Sequence, residues 1–104
     1  MSNRRRKPPH GMPRAVVLVA TPDGWRHTVL TSEGGMLCGR LAGVPAGADP
    51  RDARAAAAAV VVGLARDLHS AEVEVAWEAS GDPRSWTGRV VPAATGGASA
   101  PVDA

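Results

Sequence analysis

Asp49-Pro50-Arg51-Asp52, running on through Ala53-Arg54-Ala55-Ala56-Ala57-Ala58-Ala59-Val60-Val61-Val62-Gly63-Leu64-Ala65-Arg66-Asp67-Leu68-His69-Ser70, is the stretch that decides the fold. Asp49 offers a capping oxygen, Pro50 suits the first helical position because its missing N–H is not needed there, and Asp52 meets the positive end of the helix dipole. The helix is expected to run to about Ser70, with Ala57, Val61, Leu64, Ala65 and Leu68 on one stripe and Asp52, Arg66 and His69 away from it. The many alanines permit close approach to a sheet, whereas three successive β-branched valines weaken the helix locally and make it depend on packing.

Upstream, Gly43 to Ala48 is a loop, and before it three strands are expected. Ala15-Val16-Val17-Leu18-Val19-Ala20 is an unbroken apolar run, the pattern of a strand buried on both faces. Thr21-Pro22-Asp23-Gly24 turns it back into Trp25 to Thr31, where Trp25, His27, Val29 and Thr31 alternate with Arg26, Thr28 and Leu30. Ser32-Glu33-Gly34-Gly35 turns again into Met36 to Ala42, a strand interrupted by Gly39. Downstream of the helix, Ala71 to Glu78 alternates Val73, Val75 and Trp77 with Glu72, Glu74 and Glu78. After the break at Ser80 to Arg84, Trp86 to Val91 adds either a short strand or a segment laid across the core. The expected architecture is α+β: a β-β-β-α-β order with an antiparallel three-strand meander. A right-handed crossover helix then sets the fourth strand beside the first, in sheet order 3-2-1-4, with the helix on one face.

In a chain of 104 residues, 44% hydrophobic and 21% charged, this is one domain over residues 14–91. It is flanked by a flexible basic arm at 1–13 and a disordered Ala/Gly/Pro/Ser tail at 92–104. The 20 alanines, 13 valines and 11 arginines against one lysine are the residue choice of GC-rich codons, so the arginine excess is not by itself a binding signal. Residues 1–14 nonetheless carry a formal charge of +5, leaving −3 on the remainder. Cys38 is the chain's one cysteine, which excludes an intramolecular disulfide and a cysteine-based zinc site. The longest apolar run is far short of a bilayer span, so a cytoplasmic protein without membrane contact is expected.

The half-fold, and in particular Ala53 to Ser80 with its alanine-rich helix leading through Leu64 and Leu68 to Val73-Glu74-Val75, resembles the opening half of the ribonuclease H fold. Gly47-Ala48-Asp49-Pro50-Arg51-Asp52-Ala53 is similar to the loop and cap of the small HicB-type antitoxin domains, over a span of about residues 15–78. The second resemblance implies a non-catalytic, protein-binding role. The first does not bring nuclease chemistry with it. Two-metal hydrolysis needs carboxylates converging from the first strand, the helix and the fourth strand, and Ala15 to Ala20 holds none.

Other catalytic arrangements fail as well. His10, His27 and His69 are dispersed, Cys38 has the pattern of a small buried hydrophobe, and Gly34-Gly35 precedes no phosphate-binding lysine. No enzyme, cofactor or metal is expected. The first function class is a partner-binding module, a homodimer or a complex with another protein formed through a sheet edge, with Met36, Cys38, Arg40 and Trp86 as candidate contacts. The second is a nucleic-acid accessory protein in which Arg4, Arg5, Arg6, Lys7 and Arg14 touch phosphates without reading sequence, the acidic remainder opposing docking elsewhere.

Overall fold

The helix forms where its cap signals place it. In the computed structural model, which describes residues 11–93, α1 spans Pro50–His69, and the Asp49 side chain accepts from the Arg51 N–H at 2.8 Å. At the other end Ser70 turns left-handed (φ 52°). Its N–H donates to the Arg66 carbonyl at 3.0 Å and that of Ala71 to the Ala65 carbonyl at 3.1 Å, so the last carbonyls are satisfied. The arm over residues 1–10 and the tail over 94–104 lie outside the described residues, and with them Arg4, Arg5, Arg6 and Lys7.

Five strands make one antiparallel sheet: β1 Pro13–Thr21, β2 Gly24–Thr31, β3 Met36–Arg40, β4 Val73–Trp77 and β5 Ser85–Pro92, in the order β3-β2-β1-β5-β4. The meander, the helix and β4 stand as the sequence suggests, but β4 does not pair with β1. β5 inserts between them, placing Leu18 opposite Trp86 and Val75 opposite Val90. The expected order 3-2-1-4 is therefore corrected. The physical reason lies in β4, where Glu74, and Glu78 just past its end, suit an edge, and in the short connection over residues 78–84, which returns the chain antiparallel to β4 as a hairpin does.

A single helix over a five-stranded sheet covers one face, so β1 is not buried on both. Val16 and Leu18 point under the helix at 0% exposure, while Val17 is half-buried and Val19 is 39% exposed on the opposite side. The helix lies mainly over β1 and β4 and buries Ala53, Ala57, Val61 and Ala65 at intervals of four residues. Three of these four being alanine lets the helix axis sit close to the strands. Leu64 packs at the margin of this core, and Leu68, expected on the same stripe, stays half-exposed. Val29, Trp25 and Val73 complete the core from the sheet, and Leu41 closes it from the loop after β3. Met12 packs against it too, so the fold draws in residues from the stretch read as arm. Among the described residues no helix is long and apolar enough to cross a membrane.

Candidate interaction site

The two sheet edges differ in what they offer. Along β3, the Leu41 N–H donates to the Trp25 carbonyl at 2.9 Å and the Thr31 N–H to the Gly35 carbonyl at 3.0 Å. Because antiparallel partners alternate between bonded and non-bonded pairs, Leu37 and Gly39 also bond inward to β2. The N–H and C=O groups of Met36, Cys38 and Arg40 face outward. All three of these side chains are exposed on the face away from the helix, Met36 to 62%. At β4 the bonds from Glu78 N–H to Thr87 O and from Ala93 N–H to Glu72 O set the opposite parity. There the outward groups belong to Val73, Val75 and Trp77, whose side chains pack under the helix. β3 is the edge whose outward backbone groups belong to residues with exposed side chains.

Trp86 is not part of it. Its side chain lies on the helix side of β5, two strands beyond β2, where its indole Nε1–H donates to the Pro83 carbonyl at 3.0 Å and the Arg54 guanidinium stacks 4.0 Å from the ring centroid. Met36, Cys38 and Arg40 thus come together, and Trp86 is turned to the other face. Cys38 is exposed, contrary to the reading of a buried hydrophobe, and its Sγ accepts a weak bond from the Thr28 hydroxyl at 3.6 Å. Arg14 is the extra residue where the β1–β2 register shifts, and it borders a surface hollow with Ala15, Leu30 and Arg89.

The arrangement offers strand-pairing groups and exposed arginines. Among the described residues no three of His, Cys, Asp and Glu are grouped to hold a metal ion. A hollow of about 440 Å³ between the starts of β1 and β4 and the end of β5 is lined by Met12, Ala71, Val73, Val90 and Pro92, with Arg14, Glu72 and Arg89 at its border. It brings no nucleophile beside a base.

His27 sits on the helix side of β2 against Gly39, and its Nδ1 is buried without a hydrogen-bond partner. Desolvation by burial holds the imidazole below its ordinary value of 6.5. Since the folded state takes up the proton less readily than the unfolded chain, stability is full above pH 6.5 and declines as the pH falls from there through the lowered folded value. Chemical unfolding between pH 7.5 and 5 is expected to show that decline in the wild-type chain and a shallower one in His27→Leu. Parallel curves for the two would exclude His27 as its source.

The sequence places the helix on one face, and the assignment of Arg26, Thr28 and Leu30 opposite Trp25, His27 and Val29 agrees with an open face; what it misses is that β1 shares that face through Val17 and Val19. No family model, curated protein or solved structure matches the chain. The fold and edge define the class, an α+β protein with a one-sided five-stranded antiparallel sheet, and the antitoxin and ribonuclease H resemblances rest on the sequence pattern alone.

Proposed function

We propose that this chain is a non-catalytic protein-binding module that captures an extended strand along β3, the first such strand being the β3 of a second copy. The supporting observation is the outward row of backbone groups on Met36, Cys38 and Arg40, flanked by exposed side chains. Cys38 is the middle residue of β3. An isologous antiparallel pairing about it sets Cys38 against its counterpart and Met36 against the second copy's Arg40. It forms about six backbone hydrogen bonds, two for each such facing pair. A pairing centred on Arg40 would oppose two guanidinium groups and use less of the strand. At the upper value of about 1.5 kcal/mol net per bond, six bonds less an association cost of about 4 kcal/mol leave about 5 kcal/mol, so the dimer is weak, with a dissociation constant of about 0.2 mM.

Sedimentation of the full chain from about ten micromolar to one millimolar is expected to show a monomer–dimer equilibrium. Cys38→Pro removes an outward N–H and leaves the β2 ladder untouched, since proline is tolerated on an edge when its position faces solvent. The variant is expected to stay monomeric with an unchanged circular dichroism spectrum. A wild-type chain that remains monomeric throughout, or a proline variant that dimerises as well as wild type, removes β3 self-pairing.

A further inference from the structure

We propose that the uncovered face of the sheet binds the phosphate backbone of a nucleic-acid duplex through Arg14, Arg26, Arg40 and Arg89. This site shares Arg40 with the β3 edge but uses its side chain and not its outward backbone groups, and it does not depend on strand pairing. The face is assembled from alternate residues of all five strands. The register places Met36, Leu30, Ala15, Arg89 and Ala76 in one row, Cys38, Thr28, Val17 and Thr87 in the next, and Arg40, Arg26, Val19 and Ser85 in the third. Arg14 joins the first row through its hollow with Ala15, Leu30 and Arg89.

Charge is segregated across the molecule. The −3 balance of residues 15–104 hides this, because Asp23, Glu33 and Asp82 lie in turns, Asp49, Asp52 and Asp67 lie on or beside the helix, and Glu72 pairs with Arg66 at 3.1 Å. On the open face the acids are Glu74 and Glu78, both from the β4 side, and Glu78 approaches Arg89 at 3.8 Å. Strands β3, β2 and β1 therefore bring Arg40, Arg26 and Arg14 to the face without an acid of their own, Glu33 lying in the turn that joins β2 to β3. Arg26 and Arg40 stand directly opposite each other in a non-bonded pair, where side chains are closest and like charges repel. Among the described residues neither has a carboxylate within ion-pair reach. An anion between the two guanidinium groups converts that repulsion into attraction, and a phosphate oxygen suits their planar donors.

The chemistry of the face also selects the occupant. Trp25, Trp77 and Trp86, all the aromatic residues in the chain, belong to the helix-side core, so the open face has no platform on which unpaired bases could stack. Thr87 and Ser85 of β5 lie on the same face and add hydroxyl donors. From strand spacing and rise, the Arg26/Arg40 pair and Arg89 stand about 16 Å apart, enough to reach phosphates on both sides of a duplex groove about 12 Å wide. Backbone contact of this kind is sequence-independent and salt-sensitive.

The test is fluorescence anisotropy of a labelled 20-base-pair DNA duplex, titrated with the full chain at several salt concentrations beside Arg26→Gln/Arg40→Gln and, as control, Arg51→Gln/Arg84→Gln. Each lost phosphate contact makes the log–log salt slope shallower by about 0.9. The face variant is therefore expected to lose about 1.8 of slope and at least about tenfold in affinity near 50 mM salt, with the control unchanged. Its melting temperature is expected to equal or exceed wild type, since a repulsive pair is relieved. An RNA duplex is expected to compete in the same assay. Equal binding by the face variant and wild type, no binding of duplex by wild type, complete loss on removing residues 1–10 alone, or equally strong competition by polyglutamate or by single-stranded DNA would each overturn the proposal.

Discussion

Leu18→Ala is expected to lower the unfolding free energy by about 3 kcal/mol, the usual cost of a leucine truncation at a site that cannot collapse. Leu18 is 0% exposed on β1, between His27 of β2 and Trp86 of β5, and faces the alanine-rich side of α1. The buried helix residues are Ala53, Ala57, Val61 and Ala65, and short side chains on a rigid helix have no reach with which to fill the vacated volume. A domain of this size has a total stability of roughly 4–12 kcal/mol. The variant should therefore melt lower by some 12–24 °C at about 4–8 °C per kcal/mol. Val19→Ala, one residue along the same strand on the open face, is expected to cost less than about 1 kcal/mol, because Val19 is already 39% exposed. Thermal and urea unfolding of the two variants side by side decide the matter. Equal losses would mean that both faces of β1 are covered in solution, which would also close the proposed phosphate face.

That contrast between neighbours marks where the sequence could be read and where it could not. The helix was legible because its starting signals are local, an Asp49 cap, a proline at the first position and Asp52 in the first turn, while the left-handed Ser70 that ends it has no sequence signal of that kind. The meander was legible because its turns carry glycine at strained positions, Gly24 at φ 143° and Gly34 at φ 83°. The two-sidedness of β1 was misread because the chain's apolar residues are mostly alanine and valine, which tolerate a half-exposed strand position. An apolar run therefore did not imply burial of every member. β5 resisted recognition for a related reason. Its inward positions are Trp86, Gly88 and Val90, and a glycine at the middle one erases the alternation that identifies a strand. Without β5, β4 had nowhere to go but beside β1. The β3 edge could be named in advance since a short strand ending a meander has one partner, whereas the face on which Trp86 falls depends on a register no local signal sets. Arg26 opposite Arg40 is likewise a matter of register.

Gly88 is the position at which that register is most sharply constrained, and Gly88→Ala is expected to destabilise the protein by about 2 kcal/mol through overpacking. Gly88 is buried in β5, directly opposite Trp77 of β4. A Cβ there would collide with Val75 Cγ1 and come within 3.0 Å of Trp77 Cε3 and 3.2 Å of Trp77 Cδ2. The glycine has no unusual φ, so the requirement is space and not backbone freedom. The Trp77 ring lies over the bare backbone, which lets an edge strand place a large aromatic against the core. The nearest neighbour does not yield readily, since valine has few rotamers on a strand, and the half-buried indole of Trp77 packs against the core on the same side. The collision makes a second test available. Val75→Ala removes the nearest atom, so the double variant Gly88→Ala/Val75→Ala is expected to be more stable than the sum of the single losses predicts, with a coupling of about 1 kcal/mol measured by urea unfolding of all four proteins. Simple additivity would show that Val75 is not the obstacle. A Gly88→Ala protein as stable as wild type would mean that β5 does not pair with β4 in the register that brings Trp77 across it.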